Sequence, residues 1–67
     1  MMTIEINGKE QAFIENETVK QLLKRMNYTF PLVVVKINGI VVPRKDFSEV
    51  IVPDESTVTI LHMISGG

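Results

Sequence analysis

The chain has 67 residues, 45% of them hydrophobic, and a formal net charge of −1, which suits one small folded domain near the lower size limit for folding without staples and argues against disorder. It has no cysteine, so a disulfide framework, a Cys-based zinc site and side-chain thiol chemistry are all excluded. The seven basic residues are scattered rather than gathered into a nucleic-acid-binding patch, and the longest apolar run, Leu32 to Val35, is far too short to span a membrane.

Met1 to Glu5 lacks the basic start and long apolar stretch of a signal peptide, so the expected compartment is the cytosol. Thr3-Ile4-Glu5-Ile6 alternates polar and apolar, the period of a half-buried strand. Asn7-Gly8 is a hairpin turn signal, and a second short strand runs from Glu10 to Ile14 with Phe13 as its core candidate. The clearest helix follows. Thr18 and Gln21 have capping-box spacing, and Val19, Leu22, Leu23 and Met26 make one apolar stripe, with Lys20, Lys24 and Arg25 elsewhere on the surface. Asn27 is the expected C-cap, and Pro31 blocks continuation.

Leu32 to Ile37 is rich in β-branched residues and reads as an interior strand. Asn38-Gly39 is a second hairpin signal, and Ile40-Val41-Val42 returns as a short strand ended by Pro43. Arg44 to Glu49 reads as loop or a short helical turn, with Phe47 plugging the open end of the core. Pro53-Asp54 marks another turn, and Thr57 to Ile64 is the last strand. The order strand, strand, helix, strand, strand, strand makes a two-layer α+β domain spanning 1–67, one helix over one face of one sheet, with a short tail at 64–67.

Alternation also assigns the faces. Val33, Val35 and Ile37 share one face of their strand, and Leu32, Val34 and Lys36 share the other, which looks outward because Lys36 is a poor candidate for burial. In the last strand Val58 and Ile60 face the core, opposite Thr57, Thr59, Leu61 and Met63. If these strands are neighbours, Val34, Leu61 and Met63 form an apolar patch facing away from the helix, a partner-docking site. The competing expectation is a bulge that turns Leu61 and Met63 inward.

The chain closes on Gly66-Gly67, directly after the last strand. Without Cβ atoms such a tail is slender and free in conformation, suited to carrying a main-chain carboxylate into a narrow active site on another protein. A frayed end is the plainer explanation when the pair is taken alone.

Asn7-Gly8, Thr18-Val19 with Leu22-Leu23, the segment from Val35 to Arg44, and the ending from Val58 to Gly67 resemble the ThiS family, the small ubiquitin-like sulfur carriers of thiamine biosynthesis. The resemblance covers essentially the whole chain and rests on the ordered set rather than on one short motif. It implies the β-grasp fold, a mixed sheet of four to five strands packed on one helix, with the last strand lying centrally between the first and the third. It implies a protein co-substrate, not an enzyme. A ubiquitin-activating-type adenylyltransferase would use ATP and magnesium to adenylate the carboxylate at Gly67, with Gly66 easing entry. A cysteine desulfurase or another sulfur donor would convert that group to a thiocarboxylate, and thiazole synthase would take the sulfur. No cofactor is expected on the chain itself. Ile14 to Glu17 departs from the family in lacking the Pro and Gly often found before the helix, and the helix is short.

His62 is the only histidine and has no second ligand for a metal site. Asp46, Glu49, Asp54 and Glu55 flank turns and read as solvated loop charges. Arg44 is equally a partner contact or an ordinary surface residue, and Tyr28 and Phe30 are expected to pack at the helix end. Three other functions stay open at this stage: a molybdopterin-type carrier, disfavoured by the short chain; a protein modifier joined to lysines; and, from another class, a binding module with an idle tail.

Overall fold

The computed structural model describes residues 2–28 and 33–62. Its elements are β1 (Thr3–Ile6), β2 (Lys9–Ala12), α1 (Val19–Arg25), β3 (Val33–Ile37), β4 (Ile40–Val42), a 3-10 turn at Arg44–Asp46, and β5 (Thr57–His62). They form one five-stranded mixed sheet in the order β2-β1-β5-β3-β4. β5 is thus the middle strand, parallel to β1 and antiparallel to β3. This is the β-grasp arrangement.

Both hairpins turn as their sequences dictate. Asn7 and Gly8 have φ of 51° and 85°, and Asn38 and Gly39 have 51° and 84°. Two successive left-handed residues define the turn whose twist matches paired strands, and Asn-Gly tolerates it best. The second strand runs from Lys9 rather than Glu10 and stops at Ala12. Ile14, expected in that strand, is instead 42% exposed in the connection to the helix.

The helix has only seven residues, too short to be stable on propensity alone. Its ends are therefore closely tied. Thr18 Oγ1 accepts from the Gln21 N–H at 3.2 Å while Gln21 Oε1 accepts from the Thr18 N–H at 3.0 Å, which completes the capping box. The next orphan donors, the N–H groups of Val19 and Lys20, reach the carbonyls of Val50 and Phe47. At the other end Met26, not Asn27, is the C-cap. Asn27 lies one residue beyond it at φ 65°, where a left-handed residue closes the last turn.

Val19, Leu22 and Leu23 pack against Ile4, Ile6, Val35, Ile37, Val42, Val58 and Ile60 from the sheet, with Phe47 and Val52 closing one end. Phe13, Met26 and Tyr28 lie partly buried at the margin. One ionic contact enters this shell. Glu17, 6% exposed, accepts from Arg25 Nε at 2.8 Å and from a terminal guanidinium nitrogen at 3.0 Å, and Arg25 also donates to the Ala12 carbonyl. The hydrogen bonds to Glu17, with its negative charge, hold the Arg25 pKa above its ordinary value. The pair joins the end of β2, the loop and the helix. Asn16 makes the left-handed turn of that loop at φ 64°.

Candidate functional site

The site is built on β5, because β5 leads to the glycine tail. Gly66, Gly67, Met63 and Ile64 lie outside the described residues, as do Phe30, Pro31 and Leu32. Through Ile60 the strand is held from both sides, and Leu61 and His62 pair with β3. Asn7 spans to it like an extra strand residue: its Oδ1 accepts from the Ile60 N–H at 2.8 Å and its Nδ2 donates to the Ile60 carbonyl at 3.1 Å. On the other side Asn38 Oδ1 accepts from the Thr57 N–H at 2.9 Å, and the Asn38 N–H donates to the Thr57 carbonyl at 2.8 Å. Sequence reasoning assigned these asparagines only to turn formation. Their side chains also clamp the central strand, a role that the position of β5 reveals and the Asn-Gly signal does not.

The register settles the face of each residue through His62. Val33 stands opposite His62, Val34 opposite Leu61, Val35 opposite Ile60, Lys36 opposite Thr59, and Ile37 opposite Val58, in unbroken one-to-one steps. No bulge interrupts this ladder, so Leu61 looks outward as expected. Val58 and Ile60 are buried at 0% and 4%, whereas Leu61 is 47% exposed. Val34 is half-buried directly across from Leu61. Two of the three patch residues are thus neighbours on the face away from the helix. The third, Met63, falls among the residues not described.

The outer face extends beyond the expected pair. Val41 on β4 stands opposite Lys36 and is 54% exposed, so the apolar surface continues across three strands with Lys36 and Thr59 within it. Val41 escaped the sequence reading because a three-residue strand offers too little alternation to fix a face. His62 is exposed at the end of β5. Among the described residues no group of His, Cys, Asp or Glu could hold a metal ion, and none of the helices is long and apolar enough to cross a membrane. Asp54 and Glu55 are exposed in their turn, where the Met2 N–H donates to Asp54 Oδ2 at 3.1 Å and holds that carboxyl below its usual pKa.

The model of the ThiS family matches residues 3–67. Among solved structures, the chain is similar to a crystal structure of the thiamine biosynthesis protein ThiS from Geobacter metallireducens. The TM-score is 0.80 at 28% identity, over 98% of this chain and 100% of that one. It is similar also to the solution structure of a thiamine biosynthesis protein from the same organism, at TM-score 0.73 and 30% identity, over 98% of this chain and 88% of the other. None of the curated proteins matches it.

Proposed function

The chain belongs to the ThiS family, and on that premise we propose that it is a sulfur carrier for thiamine biosynthesis whose working group is the main-chain carboxylate of Gly67. The observation that carries this reading is the family match itself, which runs from the first strand through the glycine pair at 66–67. The fold supports it: the glycine pair follows in sequence from β5, the central strand of the sheet, which also carries Leu61 of the proposed docking face.

The chain has no cysteine to hold sulfur on a side chain, and the family resemblance implies that the main-chain carboxylate of Gly67 carries it instead. A carboxylate is a poor electrophile. Attack of its oxygen on the α-phosphorus of ATP expels pyrophosphate and leaves an acyl-adenylate, whose AMP a sulfur nucleophile then displaces. Hydrosulfide gives the thiocarboxylate directly, whereas the terminal sulfur of a partner's cysteine persulfide gives an acyl disulfide, which a second thiol cleaves to release the thiocarboxylate and leave a disulfide on the partner. The catalytic groups, the ATP and the magnesium belong to the activating partner. A cysteine desulfurase or similar donor supplies the sulfur, and thiazole synthase consumes it. Val34 and Leu61, with Met63, form the docking contact. From Met63 to Gly67 an extended tail reaches about 13 Å, enough to thread a shallow channel while the sheet face stays outside.

Intact-mass measurement tests this directly. The native chain, incubated with the activating enzyme, ATP and a sulfur donor, should gain the mass difference of sulfur for oxygen at its C-terminal carboxylate. A chain extended by one residue after Gly67 should gain nothing. Normal ATP–pyrophosphate exchange by the extended chain would defeat the assignment of Gly67. A ladder of conjugates to lysines would make the chain a modifier instead.

A further inference from the structure

We propose that Lys36 is a specificity determinant of the docking face, and that the adenylating partner meets it with a carboxylate set within an apolar ring. This rests on the carrier reading above and adds the chemistry of the partner's surface.

Lys36 occupies an unusual position for a lysine. It is half-buried on an interior strand, with Val41 opposite on one side, Thr59 opposite on the other, and the Val34–Leu61 pair next along the sheet. Val41 and Leu61 are 54% and 47% exposed, so the cation adjoins exposed apolar side chains on two sides, with Thr59 across from it on β5. Among the described residues no hydrogen bond or ion pair engages its ammonium. Neither β4 nor the described part of the outer face of β5 carries an acidic side chain. The nearest acidic position on this face is Glu5, which lies beyond β5 opposite Thr57. That is two strand spacings across and two residues along, about 12 Å away. Among the described residues this positive charge therefore has no partner of its own.

Docking on Val34, Leu61 and Val41 removes water from Lys36 as well. An ammonium so covered is costly unless an acceptor replaces the lost water. A partner that offers only apolar groups at that point is rejected, and one that offers a carboxylate is selected. The anion is a carboxylate rather than a phosphate for a structural reason. Phosphate sites gather several donors, from backbone N–H groups or a guanidinium fork. Here the backbone of β3 is paired on both sides, to β4 and β5, and one ammonium is all that remains.

The test is ATP–pyrophosphate exchange by the activating enzyme of the same organism, with the full-length native chain as varied substrate. Lys36→Glu should raise KM for the carrier about tenfold at low salt, with kcat within about twofold, and the penalty should shrink as salt screens the repulsion. Lys36→Met should raise KM several-fold, and Lys36→Arg should restore it close to the wild-type value. Circular dichroism should show all three folded. A wild-type KM for Lys36→Met would show that the charge is not read and would overturn the inference. Leu61→Asp separates the two levels of argument. If Leu61→Asp raises KM while Lys36→Glu does not, the face docks but Lys36 determines nothing. If the wild-type chain supports no exchange at all, the carrier reading falls and this inference with it.

Discussion

The two faces of β3 and β5 use the same kinds of residue for opposite purposes. On the inner face Val35, Val58 and Ile60 are buried under the helix; on the outer face Val34, Leu61 and neighbouring Val41 are left partly or largely in water. Position in a two-residue repeat separates them, and hydrophobicity does not. A valine on one face holds the domain together. Its neighbour contributes little to folding and is free to be spent on recognition. An exposed aliphatic cluster across β5, β3 and β4 is the kind of surface on which the proposed docking rests.

The sharpest way to break this comparison is to place one charge on each face of one strand. Val58 is fully buried in the middle of β5. Val58→Asp puts a carboxylate among aliphatic side chains with no partner, at a cost of about 5 kcal/mol, comparable to the whole stability expected of a domain this small. The variant should lack a cooperative thermal transition by circular dichroism. A folded Val58→Asp would mean that β5 faces the other way.

A smaller loss is expected where the inner layer is stapled at its rim. Arg25→Ala leaves Glu17 buried beside an empty space and strips the Ala12 carbonyl of a donor. The Arg25 side chain is 27% exposed and water softens the loss, so the expected cost is about 2 kcal/mol, below that of breaking a fully buried pair. Urea midpoints of wild type and variant measure it. An unchanged midpoint would show that the pair is a surface contact of no consequence, and that the short helix is held by its cap and apolar face alone.

Much of this was legible in the chain because several local signals agreed. The Asn-Gly pairs fixed both hairpins, Thr18 with Gln21 fixed the start of the helix, and alternation in Val33 to Ile37 and Thr57 to Leu61 assigned both faces correctly. The features that were hidden depend on distant partners. Glu17 drew no reading of its own, since nothing nearby in sequence announces that Arg25 folds back onto it. Asn7 and Asn38 looked like turn formers alone, since their second role needs the last strand, 53 and 19 residues away, to lie alongside. The strand order itself, with β5 at the centre, came from the family resemblance and not from periodicity, which cannot rank strands within a sheet. Lys36 was already on the outward face by alternation, and Val41 joined it only when the register placed the two side by side.

Those asparagines supply an intermediate test, between the inner face and the outer one. Asn7→Gly keeps the left-handed backbone available while deleting both hydrogen bonds to Ile60. The partly buried N–H and C=O of Ile60 are left without their partner, for an expected loss of about 1–2 kcal/mol. Hydrogen exchange should sharpen the result: the Ile60 amide should lose protection more than the Val58 region does. If both amides behave alike, the asparagine is a turn former after all and the clamp adds nothing to the strand that carries the tail.

The smallest effect on stability is expected at Leu61, and there the comparison is decided. Leu61→Asp sits three residues from Val58, on the same strand, with the same substituent introduced. Leu61 is already 47% exposed, so its replacement removes little buried surface and exposes the new carboxylate to water. The stability change should stay within about 0.5 kcal/mol. Binding should respond in the opposite sense, because a charge in the middle of a desolvated contact is costly to cover. The expected outcome is a thermal transition close to that of wild type together with a KM for the carrier raised at least several-fold in adenylation. A large fall in melting temperature would place Leu61 in the core and contradict the register. A normal melting temperature with a normal KM would leave the outer face without a function, and the glycine tail would then have to be recognised without help from the sheet behind it.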